Sequence, residues 1–134
     1  MPSYDATYFK LPAPLARVTL QHPDSGTLVS DVPMLLDYGS DATLVPLASV
    51  QQLGVPIVAL DTSYELKGFD GSTSFAPSAN LRLLFLSRLF RGRYLLIDQE
   101  WGILGRDILN HLTLLMDGPR LNWSDQRPVM KKLS

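Results

Sequence analysis

The sequence predicts a mainly β domain of many short strands with one or two short helices, and three observations carry that expectation. Short apolar stretches recur along the chain, the clearest of them alternating as a half-buried strand does. Turn chemistry separates them: HPDSG at 22–26, GFDG at 68–71 and DGP at 117–119. Only 46–53 and 107–112 suit a helix.

Taken in order, residues 1–15 read as an extended arm, because Pro12 and Pro14 interrupt any regular element. Residues 16–21 set Ala16, Val18 and Leu20 against Arg17, Thr19 and Gln21, the period of two expected of a strand. A second strand is expected around 27–29, and an apolar run at 32–36 leads to Asp37. After a loop at 38–40, residues 42–45 resume as a strand. The helix at 46–53 would start on Pro46, present Leu47, Val50 and Leu53 on one face, and stop at Gly54. Residues 64–66 and 73–75 flank the glycine-rich tip as a hairpin. Strands follow at 81–86 and 94–98, and 113–116 pairs with 121–123 in a last hairpin. Residues 16–123 therefore form the domain, and the polar stretch 124–134 is a tail.

Bulk properties limit the function classes. At 134 residues the chain suits one domain with a real core. A net charge of -1 gives no basis for nucleic acid or an anionic membrane as partner. Arg82 and Arg88 interrupt the greasiest stretch, so no run approaches the ~20 apolar residues of a bilayer span. The opening MPSYDATYFK is too polar for a signal-peptide core, and a cytoplasmic address is the expectation. With no cysteine, disulfides, thiolate catalysis and cysteine-based zinc sites are excluded. His22 and His111 do not form a metal-binding pattern, no metal or other cofactor is expected, and no Gly-x-Ser-x-Gly elbow occurs.

One chemistry remains with a pattern to support it. Hydrolysis by carboxylates uses two of them so close that they cannot both ionise; they share a proton and divide acid and base roles. Such a carboxylate sits on a tight loop followed by glycine, in the shorthand Asp-Ser/Thr-Gly-Ser/Thr/Ala. Asp24-Ser25-Gly26-Thr27 fits the shorthand literally, and Asp37-Tyr38-Gly39-Ser40 misses at its second position. The flanks decide for Asp37. It follows Met34-Leu35-Leu36, a buried strand able to hold it rigidly, and Ala42-Thr43-Leu44-Val45-Pro46 comes after it. Asp24 follows Gln21-His22-Pro23, a polar turn in which aspartate and glycine need no function.

The segment Leu35 to Pro46 resembles the active-site segment of the retropepsins, the retroviral-like aspartic proteases. Gly102-Ile103-Leu104-Gly105-Arg106-Asp107-Ile108-Leu109 looks like that family's second hallmark, in family order and at family-like spacing. The resemblance covers about residues 16–123. It implies a small closed, orthogonal β-barrel-like acid-protease fold with one lobe per chain, dimerising about a two-fold axis. A single chain with two lobes would need roughly twice this length and a second motif in a similar setting; a homodimer supplies the second carboxylate by symmetry.

Carried over residue by residue, the resemblance makes Asp37 the catalytic carboxylate of a homodimeric aspartic endopeptidase acting on extended peptides. Gly39 lets substrate backbone approach, Ser40 bonds the outer oxygen of Asp37, and Asp41 pairs with Arg106 at the end of the cleft. The tip Gly68-Phe69-Asp70-Gly71 matches the flap, with Phe69, Asp70 and Gly71 over the substrate. Tyr38 departs from the family, which usually has Thr or Ser there, bonding across the dimer axis. A phenol sits several ångströms farther out on a rigid ring. Two alternatives stay open: a catalytically weak dimerising, peptide-binding module, and a monomeric β domain unrelated to proteolysis.

Overall fold

In the computed structural model, residues 2–58 and 77–126 are described with their side chains, and 64–67 and 73–76 as strand backbone. Strand β1 (Tyr4–Asp5) pairs antiparallel with the start of β2 (Ala13–Gln21), so part of the expected arm is folded onto the barrel. β2 pairs antiparallel with β3 (Leu28–Leu36). The two strands expected at 27–29 and 32–36 are one. Val18 pairs with Val32 but Leu20 with Val29, so β3 carries an extra residue there, and Asp31 adopts a left-handed φ of 58°. That bulge reverses which alternate positions face inward, from Val29 before it to Val32, Met34 and Leu36 after it, and so hides one strand as two.

β4 (Leu44–Pro46) leads into helix α1 (Leu47–Leu53), which buries Val50 and Leu53. α1 ends at Gly54, whose φ of 83° lets its N–H reach the Val50 carbonyl at 3.1 Å. β5 (Tyr64–Lys67) and β6 (Thr73–Ala76) form the expected hairpin, and its tip lies outside the described residues. β7 (Ser78–Phe85) and β8 (Arg88–Ile97) form a long antiparallel hairpin. The sequence concealed the first half of β8 because residues 88–93 are largely exposed and arginine-rich, with no buried alternation to betray a strand.

β9 (Gly102–Leu104) was read only as part of a motif. It lies parallel to β3 on one side and antiparallel to β4 on the other. The sheet order β2-β3-β9-β4-β8-β7 closes because β7 also pairs with β2, giving a six-stranded barrel. Helix α2 (Arg106–Leu109) follows β9 directly, and β10 (Leu114–Asp117) pairs with β11 (Asn122–Asp125) as the last hairpin. The barrel interior holds Val18, Leu20, Met34, Val45, Leu81, Leu83 and Leu104. Trp123 seals one end of it, its indole N–H donating to the Leu15 carbonyl at 3.2 Å. Among the described residues no helix is long and apolar enough to cross a membrane.

Candidate active site

Asp37 stands where β3 leaves the barrel. Its N–H donates to the Leu104 carbonyl at 3.0 Å, which continues the β3–β9 ladder one residue past the strand. The chain then loops over the end of β9 and returns as β4 on its other side, so a single short strand carries both ends of the loop. This is the rigidity that the flanking apolar residues foretold: Leu36, Val45 and Leu104 are all buried beneath it.

The Asp37 carboxylate is half-buried, and its Oδ1 accepts the Gly39 N–H at 2.9 Å. Oδ2 has no hydrogen-bond partner among the described residues. A Cβ at position 39 would lie 3.0 Å from Oδ1, so glycine lets the backbone close on the carboxylate. One oxygen positioned and one available is what a carboxylate needs to exchange a proton with water or with a second carboxyl group.

The second sequence hallmark locks onto this loop. The Arg106 N–H donates to the Ser40 carbonyl at 2.8 Å, and its guanidinium donates to the Tyr38 carbonyl. Thr43, buried, donates through its hydroxyl to Asp107 Oδ1 at 2.6 Å and through its N–H to Oδ2 at 3.1 Å. The same hydroxyl accepts the Gly105 N–H at 3.0 Å. A Cβ on Gly105 would come within 2.5 Å of the Ala42 carbonyl oxygen, so only glycine lets the two segments touch. Thr43 and Asp107 had been quoted only as letters of the two motifs. Their bracing role joins residues 64 apart and has no local signal.

Two expected contacts differ. The Ser40 hydroxyl donates to the Ala42 carbonyl at 2.7 Å rather than to Asp37. The carboxylate takes its loop hydrogen bond from the Gly39 N–H instead, on Oδ1. Arg106 does not pair with Asp41: the nearer Tyr38 carbonyl receives its guanidinium, and Asp41 is exposed with no ion pair among the described residues. Tyr38 is 44% exposed, and burial of part of its ring pushes the phenol above its ordinary pKa of 10.0. Phe69, Asp70 and Gly71, expected to cover the cleft, lie outside the described residues. Asp24 lies in the exposed turn between β2 and β3, among contacts that are all local.

The closed barrel and the loop carried on both sides of one strand define a retropepsin-like, acid-protease fold. No protein-family model matches the sequence, and no curated protein does. A solved structure that shares the fold is "EIAV protease complexed with the inhibitor HBY-793". It is 25% identical with a TM-score of 0.56, over 78% of this chain and 92% of that one.

Proposed function

We propose that this chain is one subunit of a homodimeric aspartic endopeptidase in which two copies of Asp37 form the catalytic pair. The observation that carries the reading is the half-buried Asp37 carboxylate, with Oδ1 fixed by the Gly39 N–H and Oδ2 unengaged, on a loop interlocked with residues 105–107. The likeness to EIAV protease supports the hydrolase class. In the dimer one Asp37 is ionised and draws a proton from water. The other is protonated and donates to the carbonyl oxygen of the scissile peptide. Gly39, Ser40 and Asp41 line the approach of an extended peptide, the 68–71 tip covers it, and Arg106 holds the loop from below.

Digestion of a peptide library by the wild type and Asp37→Ala tests this. Cleavage beside apolar side chains, fastest at mildly acidic pH and lost in the variant, is expected; equal activity in both would sink it. Tyr38 favours a second reading, a dimer of this fold that binds peptides and hardly cleaves them. Tight binding of a statine-type inhibitor, whose hydroxyl on a tetrahedral carbon takes the place of the attacking water between two carboxyls, would count against that reading.

A further inference from the structure

Three arginines share the outer face of the β7–β8 hairpin. Arg82 and Arg91 stand directly opposite each other in the ladder, and Arg93 opposes Asn80 one step along the same face. Directly opposed side chains have Cβ atoms only about 5 Å apart, and like charges at that separation destabilise a sheet. No carboxylate offsets them: among the described residues, none of the three has an ion pair. Arg93 is also held in place. Its Nε–H donates to the buried Ser78 hydroxyl at 2.8 Å, which leaves the two outer nitrogens of the guanidinium to meet a ligand.

The three side chains border one depression of about 240 Å³, with Pro23 and Asn80 beside them. A drug-sized ligand needs roughly 300–1,000 Å³, so this hollow suits carboxyl side chains better than a whole small molecule. Alternate residues of a strand are about 6.7 Å apart. Arg91 and Arg93 therefore offer two guanidiniums at the spacing at which an extended peptide carries every second side chain. Each guanidinium can take a carboxylate through two parallel hydrogen bonds. Leu89, 42% exposed, continues the row beyond Arg91. Around the closed barrel, β7 and β8 lie opposite β9 and β3, so this face is separate from the Asp37 loop. Residues 127–134 hold Arg127, Lys131 and Lys132 and no acid, so the chain's own end does not match the face in charge.

We propose that the outer face of the β7–β8 hairpin is a docking site for an acidic, extended segment of a partner protein. Carboxylates at two alternate positions of that segment lie on Arg93 and Arg91. Arg82 adds its guanidinium to the second of them from the facing strand, and an apolar side chain two positions further rests on Leu89. The bound carboxylates also relieve the repulsion between Arg82 and Arg91. Docking here requires neither dimerisation nor Asp37.

Fluorescence anisotropy with a labelled peptide, Ala-Glu-Ala-Glu-Ala-Leu-Ala, tests this on the full chain carrying Asp37→Ala, so that the probe is not cut. Binding should weaken as salt rises. Arg82→Gln and Arg91→Gln, each added to that chain, should raise the Kd about 10-fold. Arg91→Lys should raise it less, because the charge stays and only the fork is lost. Without peptide, Arg91→Gln should melt no lower than its parent, since one of two opposed charges is gone. Equal binding of a peptide with Gln in place of Glu, or an unchanged Kd in Arg91→Gln, overturns the site. A melting temperature lower by more than about 4 °C in Arg91→Gln makes the arginine a brace of the fold and overturns it too. Displacement of the peptide by inorganic phosphate at equal concentration reduces the face to an oxyanion site. Tighter binding of a single-stranded oligonucleotide makes the partner a nucleic acid, and self-association lost in Arg91→Gln makes it a second copy. Any of these three overturns the acidic peptide as occupant. Absence of peptide cleavage by the wild type bears on the endopeptidase reading alone.

Discussion

The tetrapeptides Asp24-Ser25-Gly26-Thr27 and Asp37-Tyr38-Gly39-Ser40 spell nearly the same pattern and are held by different means. At Asp24 every bond closes within a few residues. The N–H groups of Asp24 and Ser25 donate to His22 Nδ1 at 3.1 and 3.3 Å, and the Gly26 N–H to the His22 carbonyl at 3.0 Å. The Ser25 and Thr27 hydroxyls bond each other at 2.9 Å. This is a self-sufficient turn whose job ends when β2 has been joined to β3. At Asp37 the loop also has a turn of its own, with the Ser40 N–H on the Asp37 carbonyl at 3.2 Å and the Gly39 N–H on the carboxylate. Residues more than sixty positions away tie it down as well: Leu104 takes the Asp37 N–H, and Arg106 bonds the carbonyls of Tyr38 and Ser40. A carboxylate is fit for proton transfer when distant parts of the fold hold it still, not when its neighbours spell a motif.

The largest effect that separates the two sites is on activity. Asp37→Asn keeps the shape but cannot exchange the proton, and peptide cleavage should drop by about 10³-fold or more, whereas Asp24→Asn should leave it unchanged. If both variants cleave like wild type, the contrast between the sites is structural only. The glycines sharpen it next. Gly105→Ala drives a methyl into the Ala42 backbone and should cost about 3 kcal/mol of unfolding free energy in a denaturant titration. Gly26→Ala meets only the Gln21 side chain at 4.0 Å and should lose about 1 kcal/mol, from its φ of 77° alone.

Hydroxyls give a smaller difference. Thr43→Val leaves the buried Gly105 N–H unpaired and strips a donor from Asp107, for a loss of about 2 kcal/mol. Ser25→Ala, in the exposed turn, should stay within about 0.5 kcal/mol by the same thermal or denaturant measurement. The smallest effect is a pH dependence on the braced side. Burial, and then the negative Asp107, push the Tyr94 phenol well above its ordinary value of 10.0. The folded protein thus prefers Tyr94 neutral. That stability is intact below pH 10 and is lost as pH rises further, because the unfolded chain ionises first. A Tyr94→Phe variant should show a shallower fall in melting temperature above pH 10; identical slopes would remove Asp107 and burial as the cause.

Much of this architecture could be read before any coordinates. The alternation at 16–21, the helix ending at Gly54 and the hairpins around 68–71 and 117–119 are local matters, governed by side-chain period and turn residues. β3 was split in two because the bulge at Asp31 breaks the period. The outer half of β8 was missed because its residues are exposed on both faces. Asp37 was preferred over Asp24 on its flanks, and those flanks are the strands that carry the loop.

By itself, then, the sequence determined a mainly β chain, its turns and the strands that flank Asp37, since strand period, glycine and proline act over a few residues. Tertiary structure alone decided the partners: Ser40 with Ala42 instead of Asp37, Arg106 with the Tyr38 carbonyl instead of Asp41, Thr43 with Asp107 and Gly105. Hydrogen bonds depend on distances of a few tenths of an ångström between groups far apart in the chain. Only closure of the barrel, which brings β9 between β3 and β4, sets those distances.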